Sequence, residues 1–349
     1  METVNATSVP PQTQWEQQLD ALDPKTSPAA RVGLQALKRS MTQLGKTLDV
    51  TRAATQNAFE RSAKGQPLDL ELLNQSVAQL QASLDQNSLA LMTLTSLRLR
   101  DNVTYEHCCN SAAYLIAFAK TLGLPNQEIK AMGLAGLVHD LGKARIPTDI
   151  LNKQGHLNDN DKRFIYMHVP LTLRLLKDIS DTNQTVMQAV EQHHERLDGS
   201  GYPQGIKGGQ IGRPGRMIAI VDSFEAATSK RPYRDANRGY AILQEMLADA
   251  GEKYDKTLFQ AFVKLVGVYP SGSIVELKNG MIASVVQNSA EHLLHPLVIV
   301  FAQSSAHTVF SIQLVDLHEH AADPDYNIIK VRSDLAPPQN VLQLVGLNE

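Results

Sequence analysis

Apolar residues change their spacing along the 349-residue chain, and the changes divide it. From Ala29 to about Ala63, the positions Val32, Leu34, Leu37, Met41, Leu44, Leu48 and Val50 recur at helical intervals. Lys64-Gly65-Gln66-Pro67 breaks that pattern, and Asp69, or the turn just before it, is placed to cap a second helix. This second run passes through Leu72, Leu73, Val77, Leu80, Leu84, Leu89, Leu91 and Leu94. Two long amphipathic helices on a short break predict a hairpin over residues 28–100. It serves either as an input or dimerisation module or as simple packing against the next unit. Residues 1–27, rich in Thr, Gln, Pro and Asn and without period, read as a disordered tail.

Helical spacing continues through residues 101–268, in segments at about 103–122, 127–141, 159–178, 183–195, 215–229, 236–250 and 255–266. Gly123-Leu124-Pro125, the stretch from Lys143 to Gly155 and the glycine-rich 198–215 separate them, and Asn158 or Asp159 is a suitable N-cap. After Tyr269-Pro270 the pattern turns to strands. Ser273–Leu277 and Met281–Gln287 flank Asn279-Gly280, a tight hairpin signal, and 297–301, 308–312 and 328–331 extend it. The predicted fold class is mainly α: an all-helical bundle preceded by an α-helical hairpin and followed by a small antiparallel β unit over 269–335. A Pro337-Pro338 tail closes the chain over 336–349. Helical bundles build metal sites in their interiors.

Composition adds limits. With 43% apolar and 20% charged residues the chain can bury a sizeable core. A formal net charge of −3 excludes a general binder of nucleic-acid polymers, so an anionic substrate would need a local gathering of positive charge. The only two cysteines, Cys108 and Cys109, are adjacent, which gives no disulfide framework and fits a reducing compartment. They read as small packing residues turned away from His107. No cationic-then-apolar leader opens the sequence, and Leu297–Ala302 is far too short to span a bilayer. The expectation is a cytoplasmic protein without a membrane partner.

The chemistry gathers on residues 190–203, Val-Glu-Gln-His-His-Glu-Arg-Leu-Asp-Gly-Ser-Gly-Tyr-Pro. Adjacent imidazoles suit neither a helix exterior nor a core unless they find partners, and metal ligation would supply them. Asp198-Gly199-Ser200-Gly201-Tyr202-Pro203 reads as a tight turn. Elsewhere His139-Asp140 interrupts the apolar run around Leu137-Val138, and Asp222 interrupts Met217–Val221. His107 and His168 complete a set of five histidines and two aspartates on helix bodies or ends. A carboxylate beside an imidazole lets one helix serve two neighbouring ions, with Asp140 as the bridge. Taken singly, His107, His168 and Asp222 are also ordinary hydrogen-bonded structural residues.

His139-Asp140 with Lys143, and His193-His194-Glu195-Arg-Leu-Asp198-Gly199-Ser-Gly201-Tyr202-Pro203, resemble the HD-x-x-K and HHE-x-x-DG-x-GYP elements of the HD-GYP family. Asp222 and Ser229–Arg234 are similar to the segment that closes that family's site, and the match runs from about Arg100 to Val266. The resemblance implies an all-helical HD-type domain that hydrolyses cyclic di-GMP to pGpG or onward to GMP. It also implies one ion on His107, His139, Asp140 and Asp222, and a second on Asp140, His168, His193 and His194. Some relatives add a third ion on a Glu one turn before the first histidine; here that position is Val103, so two ions are expected. Fe or Mn fits foremost, with Ni or Zn also suited. Lys143 would contact the scissile phosphate or the leaving oxygen, Tyr202 a guanine or phosphate, and Arg231 and Arg234 the other phosphate or the guanine edges. Glu195 and Asp198 would brace the turn with Gly199, Gly201 and Pro203. Arg145, Lys207, Arg213 and Arg216 read as a solvated loop. The same chemistry on cyclic GMP–AMP, or a nucleotide-sensing module with little turnover, are the competing readings, and a homodimer through the N-terminal helices is expected.

Overall fold

The structure is a computed structural model that describes residues 28–86, 104–153, 155–177, 183–228, 238–289, 291–303 and 309–335. Helices α1 (Pro28–Ala63) and α2 (Leu70–Gln86) form the hairpin, and Asp69 Oδ1 accepts from Leu72 N at 3.0 Å as the cap. The expected continuation through Leu89, Leu91 and Leu94 lies outside the described residues. Leu44, Leu48 and Ala58 of α1 and Leu73, Val77, Leu80 and Leu84 of α2 join the same hydrophobic core as the bundle. The inner face of α1 also buries Thr51, Thr55 and Ser62, and the two threonine hydroxyls donate to carbonyls one turn back.

The bundle is built around α3 (Thr104–Thr121), buried on almost every side from Cys108 to Ala119 because its alanines let neighbouring helices close in. Against it lie α4 (Asn126–Val138), α9 (Arg213–Thr228) and α11 (Lys256–Val266); α8 (Gln184–Gln192) packs on α4 and α9, and α10 (Arg238–Ala248) lies outside α9. Edge-to-face packing of Tyr114, Phe118, Phe224 and Phe262, with centroids 5.3 to 6.1 Å apart, ties α3, α9 and α11.

Local boundaries depart from the expected ones where the chemistry lies. The helix expected over 127–141 stops at Val138, with His139 as its C-cap and a 3-10 turn over Leu141–Arg145. A short α5 (Thr148–Leu151) follows. The helix expected over 159–178 is two, α6 (Asp159–Tyr166) and α7 (His168–Lys177), broken at Met167. Pro170 has no N–H to give the carbonyl four residues back, so the ladder cannot run through that point. Asn158 caps α6 in a capping box with Asp161.

The β unit is one antiparallel sheet ordered β4-β3-β2-β1-β5, with β1 Ile274–Leu277, β2 Met281–Gln287, β3 Leu297–Gln303, β4 Val309–Asp316 and β5 Ile328–Val331. Alternation sends Ile274, Ile282, Val286, Ile299 and Phe301 to the helical core, and Val275, Leu277, Ala283, Val285 and Val298 to a second core on the far face. Among the described residues no helix is long and apolar enough to cross a membrane.

Candidate metal centre

Five helix segments deliver the predicted ligands to one point. His107 comes from the first turn of α3, His139 and Asp140 from just beyond α4, His168 from the α6–α7 break, His193 and His194 from the end of α8, and Asp222 from α9. His139, Asp140, His168, His193 and Asp222 are buried. Possible ligand atoms of Asp140, His168, His193 and His194 lie within 4.8 Å of one another, and so do those of His107, His139 and Asp140. Asp222 Oδ1 stands 3.0 Å from His107 Nε2 and 3.6 Å from His139 Nε2, while its Oδ2 stands 3.5 Å from His194 Nδ1.

Asp140 divides its oxygens between the two groups. Oδ2 is 3.9 Å from His107 Nε2 and 3.7 Å from His139 Nε2; Oδ1 is 3.4 Å from His168 Nε2 and 3.9 Å from His193 Nε2. Oδ1 is buried and makes no hydrogen bond. A buried carboxylate oxygen without a donor is costly, and a cation is the partner that its surroundings provide for.

The imidazoles are turned for the same purpose. His139 Nδ1 lies 2.9 Å from Gly136 O, His168 Nδ1 2.6 Å from Ile165 O, and His193 Nδ1 2.7 Å from Val190 O. A carbonyl only accepts, so each Nδ1 carries a proton, and the neutral ring presents its Nε2 lone pair inward. His107 Nδ1 is held in the same way by Glu225 Oε2. The Nε2 atoms of His107 and His139 are then 3.2 Å apart, and those of His168 and His193 are 3.1 Å apart. Lone pairs facing at that distance repel unless a proton or a metal ion lies between them. Three of these histidines also satisfy orphan carbonyls at helix C-termini, whose partial negative charge favours a cation. The residues present therefore fit two metal ions sharing Asp140.

Electrostatics follows the geometry. Burial disfavours charge on His107 and His139, yet Glu225 and Asp222 on the first and Asp140 on the second push both up to about 10. Burial and neighbouring imidazoles hold His168, His193 and His194 down, His194 to about 3. Asp140 and Asp222 stay well below the carboxylate range despite burial, the first chiefly through Lys143 and the second through His107.

Lys143 donates to Asp140 Oδ2 at 2.5 Å. Its turn fits because Gly142 has no side chain: a Cβ there would stand 2.1 Å from His168 O. Thr172 Oγ1 accepts from Gly142 N at 2.8 Å and donates to His168 O at 2.8 Å.

Hydrogen bonds brace the 195–205 loop. Glu195 Oε1 accepts from Gln204 N at 2.8 Å and Gly205 N at 3.2 Å, and Asp198 Oδ1 accepts from Ser200 N. Gly199 has φ +79°, and a Cβ on Gly201 would meet His194 O at 2.4 Å. The loop brings Tyr202 over the centre, its ring 4.4 Å from His194's and stacked at 3.7 Å on Tyr166; a cis peptide joins it to Pro203. Arg231 and Arg234 lie outside the described residues, as does Val103.

Sequence reasoning missed Glu225, Asn110, Thr172 and Arg196. Glu225 is buried and takes Asn110 Nδ2 at 2.8 Å as well as His107; its one visible signal is its place one turn after Asp222. Arg196 donates to Ser223 Oγ at 3.0 Å, tying the α8 end to α9 beside Asp222. Cys108 is fully buried beside His139, and burial pushes its thiol up to about 11. Of the remaining histidines, His292 stacks on His318 at 3.5 Å and His320 on Tyr326 at 4.0 Å, away from this cluster.

A family model described as an HD domain matches residues 90–258. A cyclic di-GMP phosphodiesterase of Pseudomonas aeruginosa is 35% identical over 301 residues, 85% of this chain and 72% of that one. The chain belongs to the HD-GYP family. The two HD-GYP sequence elements are the Asp140 turn and the 193–203 loop, which face each other across the centre. A 3'3'-cGAMP-specific phosphodiesterase of Vibrio cholerae is 35% identical over 190 residues, 54% of this chain and 44% of that one. Thus the HD-GYP chain spans most of the first relative but under half of the second. Among solved structures, an HDG"Y"P protein from Bdellovibrio bacteriovorus superposes with a TM-score of 0.54 at 16% identity, covering 72% of this chain and 77% of that one, a likeness of fold.

Proposed function

We propose that this HD-GYP protein is a dinuclear-metal phosphodiesterase that hydrolyses cyclic di-GMP to pGpG, GMP or both. The observation that carries the reading is Asp140, with one oxygen toward each facing pair of imidazoles and one of those oxygens unpaired. His107, His139, Asp140 and Asp222 would hold one ion, and Asp140, His168, His193 and His194 the other. Fe or Mn suits this nitrogen- and carboxylate-rich set, as do Ni and Zn. When bound, such a pair of ions acidifies a shared water and clamps phosphoryl oxygens.

The chain's own residues do the rest. Asp140 keeps Lys143 charged against the cost of burial, so the ammonium stays at the centre's edge as a fixed positive charge for a phosphate or leaving oxygen. Tyr202, whose phenol burial keeps neutral, walls the centre beside His194 and presents a donor and a ring to the nucleotide. Arg231 and Arg234 are assigned the second phosphate or the guanine edges. The substrate follows from the Pseudomonas relative's name. Cytoplasmic placement and a homodimer are part of the same proposal, the latter read by light scattering on the full chain.

Product analysis of cyclic di-GMP under reducing conditions with Fe or Mn, beside Asp140→Ala, tests the function. Turnover lost in the variant supports it; intact cyclic di-GMP with fully metallated protein overturns it. Competition with cyclic GMP–AMP gives the base preference, since a site built to pair one base penalises the other through unpaired polar groups.

A further inference from the structure

The turn carrying Lys143 is held from both sides, and one side belongs to the N-terminal hairpin. Ser62, fully buried near the end of α1, donates its hydroxyl to Leu141 O at 3.0 Å. Arg145 Nε returns a bond to Ser62 O at 3.0 Å. Leu141 and Arg145 are the first and last residues of the 3-10 turn, so the pair of bonds brackets Lys143. Thr172 holds the opposite face through Gly142 N. Higher on α1, Arg52 Nε pairs with Glu106 at 3.1 Å, and Thr55 Oγ1 accepts from Cys109 Sγ at 3.4 Å, flanking His107. One helix thus touches the chain on both sides of the first ligand group.

We propose that Ser62 and Arg145 are positioning residues for the reaction, and that α1, through them, sets the placement of Lys143 against Asp140. The hairpin is then part of the catalytic scaffold rather than a separate module. Any change in the lie of α1 reaches the metal centre at this clamp. Placement matters because a shift of about 1 Å in a reacting group costs roughly 10²-fold in rate, and a loosened clamp a fraction of that. This inference rests on the reading of Lys143 and Asp140 given above.

The test uses the full metal-loaded chain with Ser62→Ala, Arg145→Ala and each combined with Lys143→Ala. Each single variant is expected to lower kcat about tenfold with KM and metal content nearly unchanged. In the Lys143→Ala background, neither should lower kcat further, because two residues acting through one group do not add. Hydrogen exchange supplies a readout independent of activity: amides of residues 141–146 should lose protection in the variants, while those of 193–202 keep theirs. Unchanged protection at 141–146, or an equal loss of kcat with and without Lys143, overturns the clamp. Faster exchange at 141–146 in a protein that leaves cyclic di-GMP intact supports the clamp and sinks the catalytic reading instead. Should Ser62→Ala fail to fold, Arg145→Ala, at an exposed position, carries the same comparison.

Discussion

Removing the charge of Glu225 should unseat one metal and spare the other. Glu225 is 2% exposed, and its two oxygens take His107 and Asn110. In Glu225→Gln the amide still accepts from His107 Nδ1–H, and Asn110 can present its oxygen to the new NH2 group. The substitution therefore isolates the charge. A partner that orients a ligating histidine is worth about 10- to 100-fold in metal affinity, or roughly 1.4 to 2.7 kcal/mol. Glutamine should lie near tenfold. Glu225→Ala should approach a hundredfold, because an unpaired buried N–H adds about 1–3 kcal/mol. Competition titration with a chromophoric chelator, with metal content per chain, reads both. The expected result is selective weakening of the ion on His107, His139 and Asp222, with the ion on His168, His193 and His194 retained. Equal affinity for both ions in Glu225→Ala, or first loss of the other ion, would refute the reasoning.

Gly142→Ala should destabilise the fold by about 1–3 kcal/mol and distort the Asp140 turn, since its Cβ would meet backbone rather than a movable side chain; thermal melting and metal content measure it. In the metal-free protein His107 and His139 stand at about 10 against an ordinary 6.5, so the stability they contribute is full below about 6.5 and lost as pH rises through about 10. Metal must displace those protons, so affinity should climb with pH between about 7 and 10, and calorimetry in two buffers of different protonation enthalpy should show proton release; none released would contradict it. His194, held to about 3, stays neutral across that range and should leave no step of its own.

The helices and the histidine–aspartate cluster were readable from the sequence because buried polar residues stand out in apolar helices, and because the 193–203 turn couples histidines to glycines that nothing bulkier could replace. Their exact seating was not. His139 and His193 were expected inside helices, yet each sits just past a helix end and gives its Nδ1 proton to that helix's own carbonyl. Such endings are decided by tertiary partners, here the centre itself, rather than by local propensity. Glu225 was invisible because a glutamate on a helix is ordinary until something buries it. Ser62 was invisible for a related reason: its partner lies 79 residues away.

The count of metal ions per chain, in the wild type and in Asp140→Ala loaded side by side, tests the centre most directly. Because Asp140 faces both imidazole pairs with an oxygen for each, two ions are expected in the wild type and loss of both in the variant. A variant that keeps its two ions at wild-type affinity, or a wild type that takes up none, would contradict the account.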